Sequence, residues 1–132
     1  MSFNHPLRIL IVEDEAVVAR DVHYSLQRAG YEVTGLCRTG PEAIEAVKMQ
    51  QPDLVLMDIN LGSATMDGIE AAARIHRDYQ KPVVFLTGHA DEQTTARART
   101  AQPYGYLVKP FHESELRSVV ELAVGRHQAD RK

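Results

Sequence analysis

The feature that most constrains this chain is an alternation sustained along its length: short, unbroken apolar runs are each followed by a longer segment whose apolar residues recur at helical spacing. A strand buried on both faces reads as a continuous apolar run, and reaching the next parallel strand takes a helix-sized crossover. Five such units follow one another with no internal repeat or low-complexity tract between them. This predicts an α/β fold, a doubly wound five-stranded parallel sheet with five helices in a three-layer sandwich. The length of 132 residues suits one domain, on a prior of about 150 residues each.

The first strand is expected over 7–12, closed by Glu13 and Asp14, and the first helix over 15–28, with Val18, Val22 and Leu26 inward and Gly30 as its stop. A second strand over 31–37 leads to Thr39-Gly40-Pro41-Glu42, which has the form of a capping box with Pro in the first turn, and Pro52 closes that helix region. The third strand, 53–58, is the most apolar, and Asp67 with Glu70 marks the start of the third helix. The fourth strand spans 82–87. The fourth helix, from near Asp91 to Ala101, is polar and expected to be the least firmly packed element. The fifth strand, 104–108, is stopped by Lys109-Pro110, and the last helix is expected over 113–124. Residues 1–6 read as an N-terminal extension, 7–124 as the domain, and 125–132 as a solvated tail.

Composition excludes several classes. Fifteen Lys and Arg against eighteen Asp and Glu give a net charge of −3, which gives no support for bulk binding to nucleic acid or anionic membranes. Apolar runs such as 9–12 are far shorter than the roughly 20 residues of a spanning helix, and the N-terminus has neither the basic patch nor the apolar stretch of a signal peptide. A cytoplasmic protein is expected. Cys37 is the only cysteine, so no disulfide can form within the chain, and it is expected to serve as a small buried hydrophobe. The histidines at 5, 23, 76, 89, 112 and 127 lack metal-ligand spacing. Gly35 and Gly40 have P-loop spacing, but Pro41-Glu42 stands where Lys-Ser/Thr would bind phosphate. The basic residues near the C-terminus, without a helix-turn-helix or an aromatic platform, read as a solvated terminus and not as a nucleic-acid contact.

The reactive side chains fall at strand ends. Glu13 and Asp14 follow the first strand, Asp58 ends the third, Thr87 the fourth, and Lys109 follows the fifth. Open doubly wound sheets bind ligands outside the carboxyl ends of their strands, where the strand order reverses. In a 2-1-3-4-5 order that point lies between the first and third strands, where Glu13, Asp14 and Asp58 converge. Three carboxylates in one crevice repel one another. A hard divalent cation with oxygen ligands, Mg²⁺ above all, relieves that repulsion and accepts phosphate oxygens. With the ammonium of Lys109 and the hydroxyl of Thr87 added, the set describes a phosphoryl site with a carboxylate nucleophile.

These residues lie within Ile-Val-Glu-Asp-Glu (11–15), Leu-Met-Asp-Ile-Asn-Leu (56–61), Met-Asp-Gly-Ile-Glu (66–70), Phe-Leu-Thr-Gly-His (85–89) and Tyr-Leu-Val-Lys-Pro-Phe (106–111). Taken in order, the five segments resemble a response-regulator receiver domain, over residues 7–124. The resemblance implies that Asp58 accepts a phosphoryl group from a histidine kinase or phosphotransfer protein. It implies Mg²⁺ held by Asp14, by Asp58, by Glu13 through water and by the backbone carbonyl of Asn60, with Thr87 and Lys109 on the phosphoryl oxygens. Thr87 and Tyr106 would form the switch, and the face of the fourth helix, fifth strand and fifth helix would meet a downstream protein or a second copy. Receivers of this kind often have the Lys-Pro bond, here 109–110, in cis. Asn60 and His89 are expected to flank the mouth of the site and tune hydrolysis. The chain departs from the common pattern at Gly62, where most receivers have Pro. Competing readings are the receiver of a hybrid kinase or multidomain regulator, and an aspartate-nucleophile phosphohydrolase. The latter is disfavoured because Asn60 stands where those enzymes place a general-acid Asp. A flavin-binding module is disfavoured by the acidic crevice.

Overall fold

A computed structural model describes residues 5–61, 66–88 and 92–131. The elements run β1 (Arg8–Val12), α1 (Ala16–Arg28), β2 (Glu32–Cys37), α2 (Gly40–Gln50), β3 (Leu54–Asp58), α3 (Gly68–Tyr79), β4 (Val83–Thr87), α4 (Glu92–Arg99), β5 (Gly105–Val108) and α5 (Glu113–Asp130). The strands form one parallel sheet in the order β2-β1-β3-β4-β5. Each strand begins one residue later than the apolar runs suggest. Several of these preceding positions carry bonds that open the ladder, such as Tyr104 N–H to the Val83 carbonyl at 2.8 Å and Asp53 N–H to the Arg8 carbonyl at 2.8 Å.

The unbroken apolar runs are explained by two cores, one on each face of the sheet. Leu10, Val12, Val55, Met57, Val83 and Phe85 pack with Ala43, Val47, Ile69, Ala72 and Ile75 of α2 and α3. Their alternate neighbours Ile9, Ile11, Leu54, Leu56, Val84 and Leu86 pack with Val22 and Leu26 of α1 and with Leu116, Val120 and Ala123 of α5. Each fully buried aliphatic or aromatic side chain contributes about 1.5–3 kcal/mol, so the three central strands anchor the edge on which the reactive residues sit.

The expected capping box at Thr39 is present, and the helix start expected at Asp67 is a second one. Thr39 Oγ1 accepts the Glu42 N–H at 3.2 Å, and Asp67 Oδ1 accepts the Glu70 N–H at 2.9 Å. Gly30 lies beyond the end of α1 at φ +92°, a conformation that costs glycine little. Ala98 is the only fully buried residue among the described side chains of α4, in keeping with the polar pattern. An ion pair from Arg97 to Asp67 at 2.9 Å joins that helix to the start of α3.

The C-terminal stretch differs from expectation. Instead of a solvated tail from residue 125, α5 continues to Asp130. The extra turns are tied down by side chains that carry no periodic signal. His127 Nε2 meets the Gln80 carbonyl at 2.6 Å, Tyr104 donates its hydroxyl to Asp130 at 2.8 Å, and the rings of Tyr104 and His127 meet edge to face. No helix among the described residues is long and apolar enough to cross a membrane.

The start of α3 is fitted directly against the reactive edge. Gly68 donates its N–H to the Ile59 carbonyl at 3.2 Å, and a Cβ at Gly68 would overlap the Asp58 carbonyl oxygen, a backbone atom with no room to give. Gly68→Ala is therefore expected to destabilise the fold by about 1–3 kcal/mol through overpacking, although alanine is the better helix former. The check is urea unfolding, where the midpoint should fall with little change in slope.

Candidate phosphoryl and metal site

Parallel pairing brings the ends of four strands to one edge of the sheet. β1 delivers Glu13 and Asp14, β3 delivers Asp58 beside it, β4 delivers Thr87, and β5 delivers Lys109. Glu13, Asp58 and Thr87 are buried, with 2%, 4% and 3% of their surface exposed. Asp14 is partly exposed. One carboxylate oxygen from each of Glu13, Asp14, Glu15 and Asp58 lies within 4.8 Å of the others. These are hard oxygen donors clustered in one crevice, the donor chemistry that suits Mg²⁺.

Lys109 closes the crevice from the far side. Its Nζ lies 3.0 Å from Glu13 Oε1 and 3.4 Å from Asp58 Oδ2. The lysine is held in place from its own backbone, whose N–H donates to the Thr87 carbonyl at 2.8 Å, and the bond to Pro110 is cis. Asp58 Oδ1 accepts the Asn60 N–H at 2.9 Å, and Glu13 Oε2 accepts the Glu15 N–H at 3.2 Å. The two buried carboxylates are thus each held by an ammonium on one oxygen and a backbone amide on the other. Gly88 adds no bulk next to Thr87, and its nearest neighbour in the direction of a Cβ is Lys109 Cε at 4.0 Å.

The electrostatics follow from burial. Loss of water raises the Glu13 carboxyl to about 7, with the adjacent Asp58 adding to the rise and Lys109 opposing it. Burial works against the Lys109 ammonium as well, but its bond to Glu13 and the charges of Asp58 and Glu13 outweigh that and hold it above the ordinary lysine value. Cys37, half-buried at the end of β2, has its thiol pushed up to about 11 by burial and then by Glu42. It is a protonated packing residue at neutral pH, as its isolation in the sequence suggests.

Of the residues singled out from the sequence, Glu13, Asp14, Asp58 and Lys109 meet in the crevice, and Asn60 touches it through its amide. Thr87 lies at the same edge, paired in register with Val108. Tyr106 stands apart: it is 38% exposed, with its ring centroid 6.1 Å from that of Phe85. His89 and Gly62 lie outside the described residues. Glu15 is the acid that sequence reasoning passed over, because it reads as the first residue of the first helix; its signal is the unbroken acidic run 13–15.

The comparisons with known proteins agree with this architecture. The family model of the response regulator receiver domain matches residues 9–121. The transcriptional regulatory protein PdtaR of Mycobacterium tuberculosis is 42% identical over 121 residues, which cover 92% of this chain and 58% of PdtaR. The phyllosphere-induced regulator PhyR of Methylorubrum extorquens is 30% identical over 125 residues, covering 94% of this chain and 46% of PhyR. The chain thus spans about half the length of these relatives. Among solved structures, the signal receiver domain of a modulated diguanylate cyclase from Desulfovibrio desulfuricans G20 superposes with a TM-score of 0.89 at 34% identity, covering 95% of this chain and 98% of that one. A sheet ordered 2-1-3-4-5, an acidic crevice facing a lysine at its switch point, and a family match over most of the length lead to one conclusion: the chain belongs to the response regulator receiver domain family of two-component signalling.

Proposed function

We propose that this receiver takes a phosphoryl group on Asp58 from the phosphohistidine of a histidine kinase or phosphotransfer protein. The observation that carries the reading is the state of Asp58 itself: a buried carboxylate at a strand end, its Oδ1 held by the Asn60 amide and its Oδ2 facing Lys109. An Asp58 oxygen attacks phosphorus, the P–O bond forms as the P–N bond breaks, and the imidazole leaves with the electron pair. Asp14 and Asp58 would hold Mg²⁺ together with the Asn60 carbonyl, with Glu13 acting through water. When bound, the ion neutralises charge on the transferring phosphoryl oxygens. Lys109 offers its ammonium to those oxygens, and Thr87 donates its hydroxyl.

Thr87 and Tyr106 are the proposed switch. A phosphoryl group adds charge and acceptor oxygens, which draw the Thr87 hydroxyl inward. The half-exposed Tyr106 ring can then follow into the space beside Phe85, changing the surface formed by α4, β5 and α5. That surface is the proposed contact with a downstream protein or a second copy, with a cytoplasmic setting and no direct contact with nucleic acid. Asn60 and His89 are assigned to the mouth of the site, where they set how readily water attacks the phosphoaspartate. Turnover of external phosphate esters is not part of this reading, because Asn60 offers no acid to a leaving group.

The test is intact mass after incubation with acetyl phosphate. One phosphoryl increment is expected, requiring both Mg²⁺ and Asp58 and absent from Asp58→Asn. A folded protein that gains the increment in Asp58→Asn, or that binds no Mg²⁺, would overturn the assignment. The same mass signal followed over time should decay at a different rate in an Asn60→Ala, His89→Ala double variant, and an unchanged rate removes the tuning role.

Burial of Glu13 also sets a pH dependence. A carboxyl raised in the folded state from 4.5 to about 7 contributes stability that is present below 4.5 and is lost as pH rises toward 7. Thermal unfolding in EDTA should therefore show wild-type stability falling across that window relative to Glu13→Gln. Since a cation displaces the proton, Mg²⁺ affinity should rise between about pH 6 and pH 8.

A further inference from the structure

The turn between β1 and α1 carries two of the clustered acids, Asp14 and Glu15. Glu15 is the N-cap of α1 but its side chain caps nothing, and the first turn of the helix contains no acid. The leading N–H groups of a helix need partners from outside it. Within the turn the Glu15 N–H donates to Glu13 Oε2. Further bonds reach it from the end of β2. The Glu13 N–H donates to the Cys37 carbonyl at 2.9 Å, and Arg38 Nη2 donates to the Asp14 carbonyl at 3.3 Å.

The backbone of Arg38 is secured by the head of α2. Its backbone N–H donates to Glu42 Oε1 at 2.8 Å, and the same oxygen accepts the Thr39 N–H at 3.2 Å. The capping box of α2, which the sequence displays openly, therefore extends one residue upstream to the arginine and through it to the backbone of Asp14. Bonds that fix the orientation of a ligand residue tune metal affinity, and their loss weakens binding. The charge on the guanidinium acts in the other direction: a cation beside a cation site weakens binding, though Arg38 is exposed and its field is screened by water and salt.

We propose that Arg38 is a positioning residue for the divalent-cation site. Its bond to the Asp14 carbonyl holds the β1–α1 turn so that the carboxylates of Asp14 and Glu15 face Glu13 and Asp58 before any cation arrives. The proposal rests on the reading of that cluster as a Mg²⁺ site.

The two roles of Arg38 differ in sign, which makes the test decisive. Mg²⁺ titrations by calorimetry on the wild type, Arg38→Ala, Arg38→Gln and Asp14→Asn use the ion alone, with no phosphoryl donor. Loss of the positioning bond should weaken Mg²⁺ binding roughly three- to tenfold in Arg38→Ala. Arg38→Gln, which is neutral but keeps an N–H donor, should fall between it and the wild type. In the metal-free protein, hydrogen exchange at the amides of 15–18 should quicken in Arg38→Ala. Mg²⁺ binding that is unchanged or tighter in Arg38→Ala overturns the proposal, whatever the exchange rates do. If binding disappears in Asp14→Asn but persists undiminished in Arg38→Ala, only the role of Arg38 fails. If the wild type binds no Mg²⁺, the reading of the cluster fails and this inference fails with it.

Discussion

The constraint on which the rest of the structure depends is the burial of two carboxylates, Glu13 and Asp58, side by side at the edge of a hydrophobic sheet. Removing an ion from water costs several kcal/mol even after relaxation, and that cost must be offset by excellent geometry and by hydrogen bonds to the remaining lone pairs. Here the offset comes from three sources in different parts of the chain. Lys109 reaches both acids, the Asn60 amide takes the free oxygen of Asp58, and the Glu15 amide takes that of Glu13. Each source is placed by secondary structure. Lys109 depends on β5 pairing with β4, and the two amides depend on the chain turning sharply just past β1 and β3.

Packing around the sheet is uneven. The central strands are apolar on both faces and locked by helices on each side, so the reactive edge has a stiff base. The outer part, where α4 lies, has Ala98 as its one fully buried residue among the described side chains, and the Arg97–Asp67 ion pair at its surface. Tyr106, on the edge strand β5, stands exposed beside this thinner part of the core.

Most of this was legible in the sequence, because the signals involved are local. Unbroken apolar runs gave the strands, and the Thr39/Glu42 and Asp67/Glu70 pairs gave two helix starts that the structure reproduces as capping boxes. The acids and the lysine at strand ends pointed to one edge as soon as a parallel order was assumed. What stayed hidden depends on distant partners. Residues 125–130 look like a polar tail until Tyr104 and the Gln80 carbonyl are brought against them. Glu15 looks like the first residue of a helix until Asp58 is brought close to it. Arg38 shows nothing in the sequence, since its partner is a backbone carbonyl 24 positions away.

One of these separations has a broader consequence. Glu13 and Lys109, whose contact brings an ammonium to the acidic crevice, are 96 positions apart, and they meet only when the first strand and the last are both in the same sheet. No fragment of the chain that lacks either end of that span can hold the crevice together. The arrangement of the site is therefore tied to the whole sheet: a molecule that has shed β5 loses the ammonium beside Glu13 and Asp58 and leaves the two buried acids in mutual repulsion, even while its central strands hold.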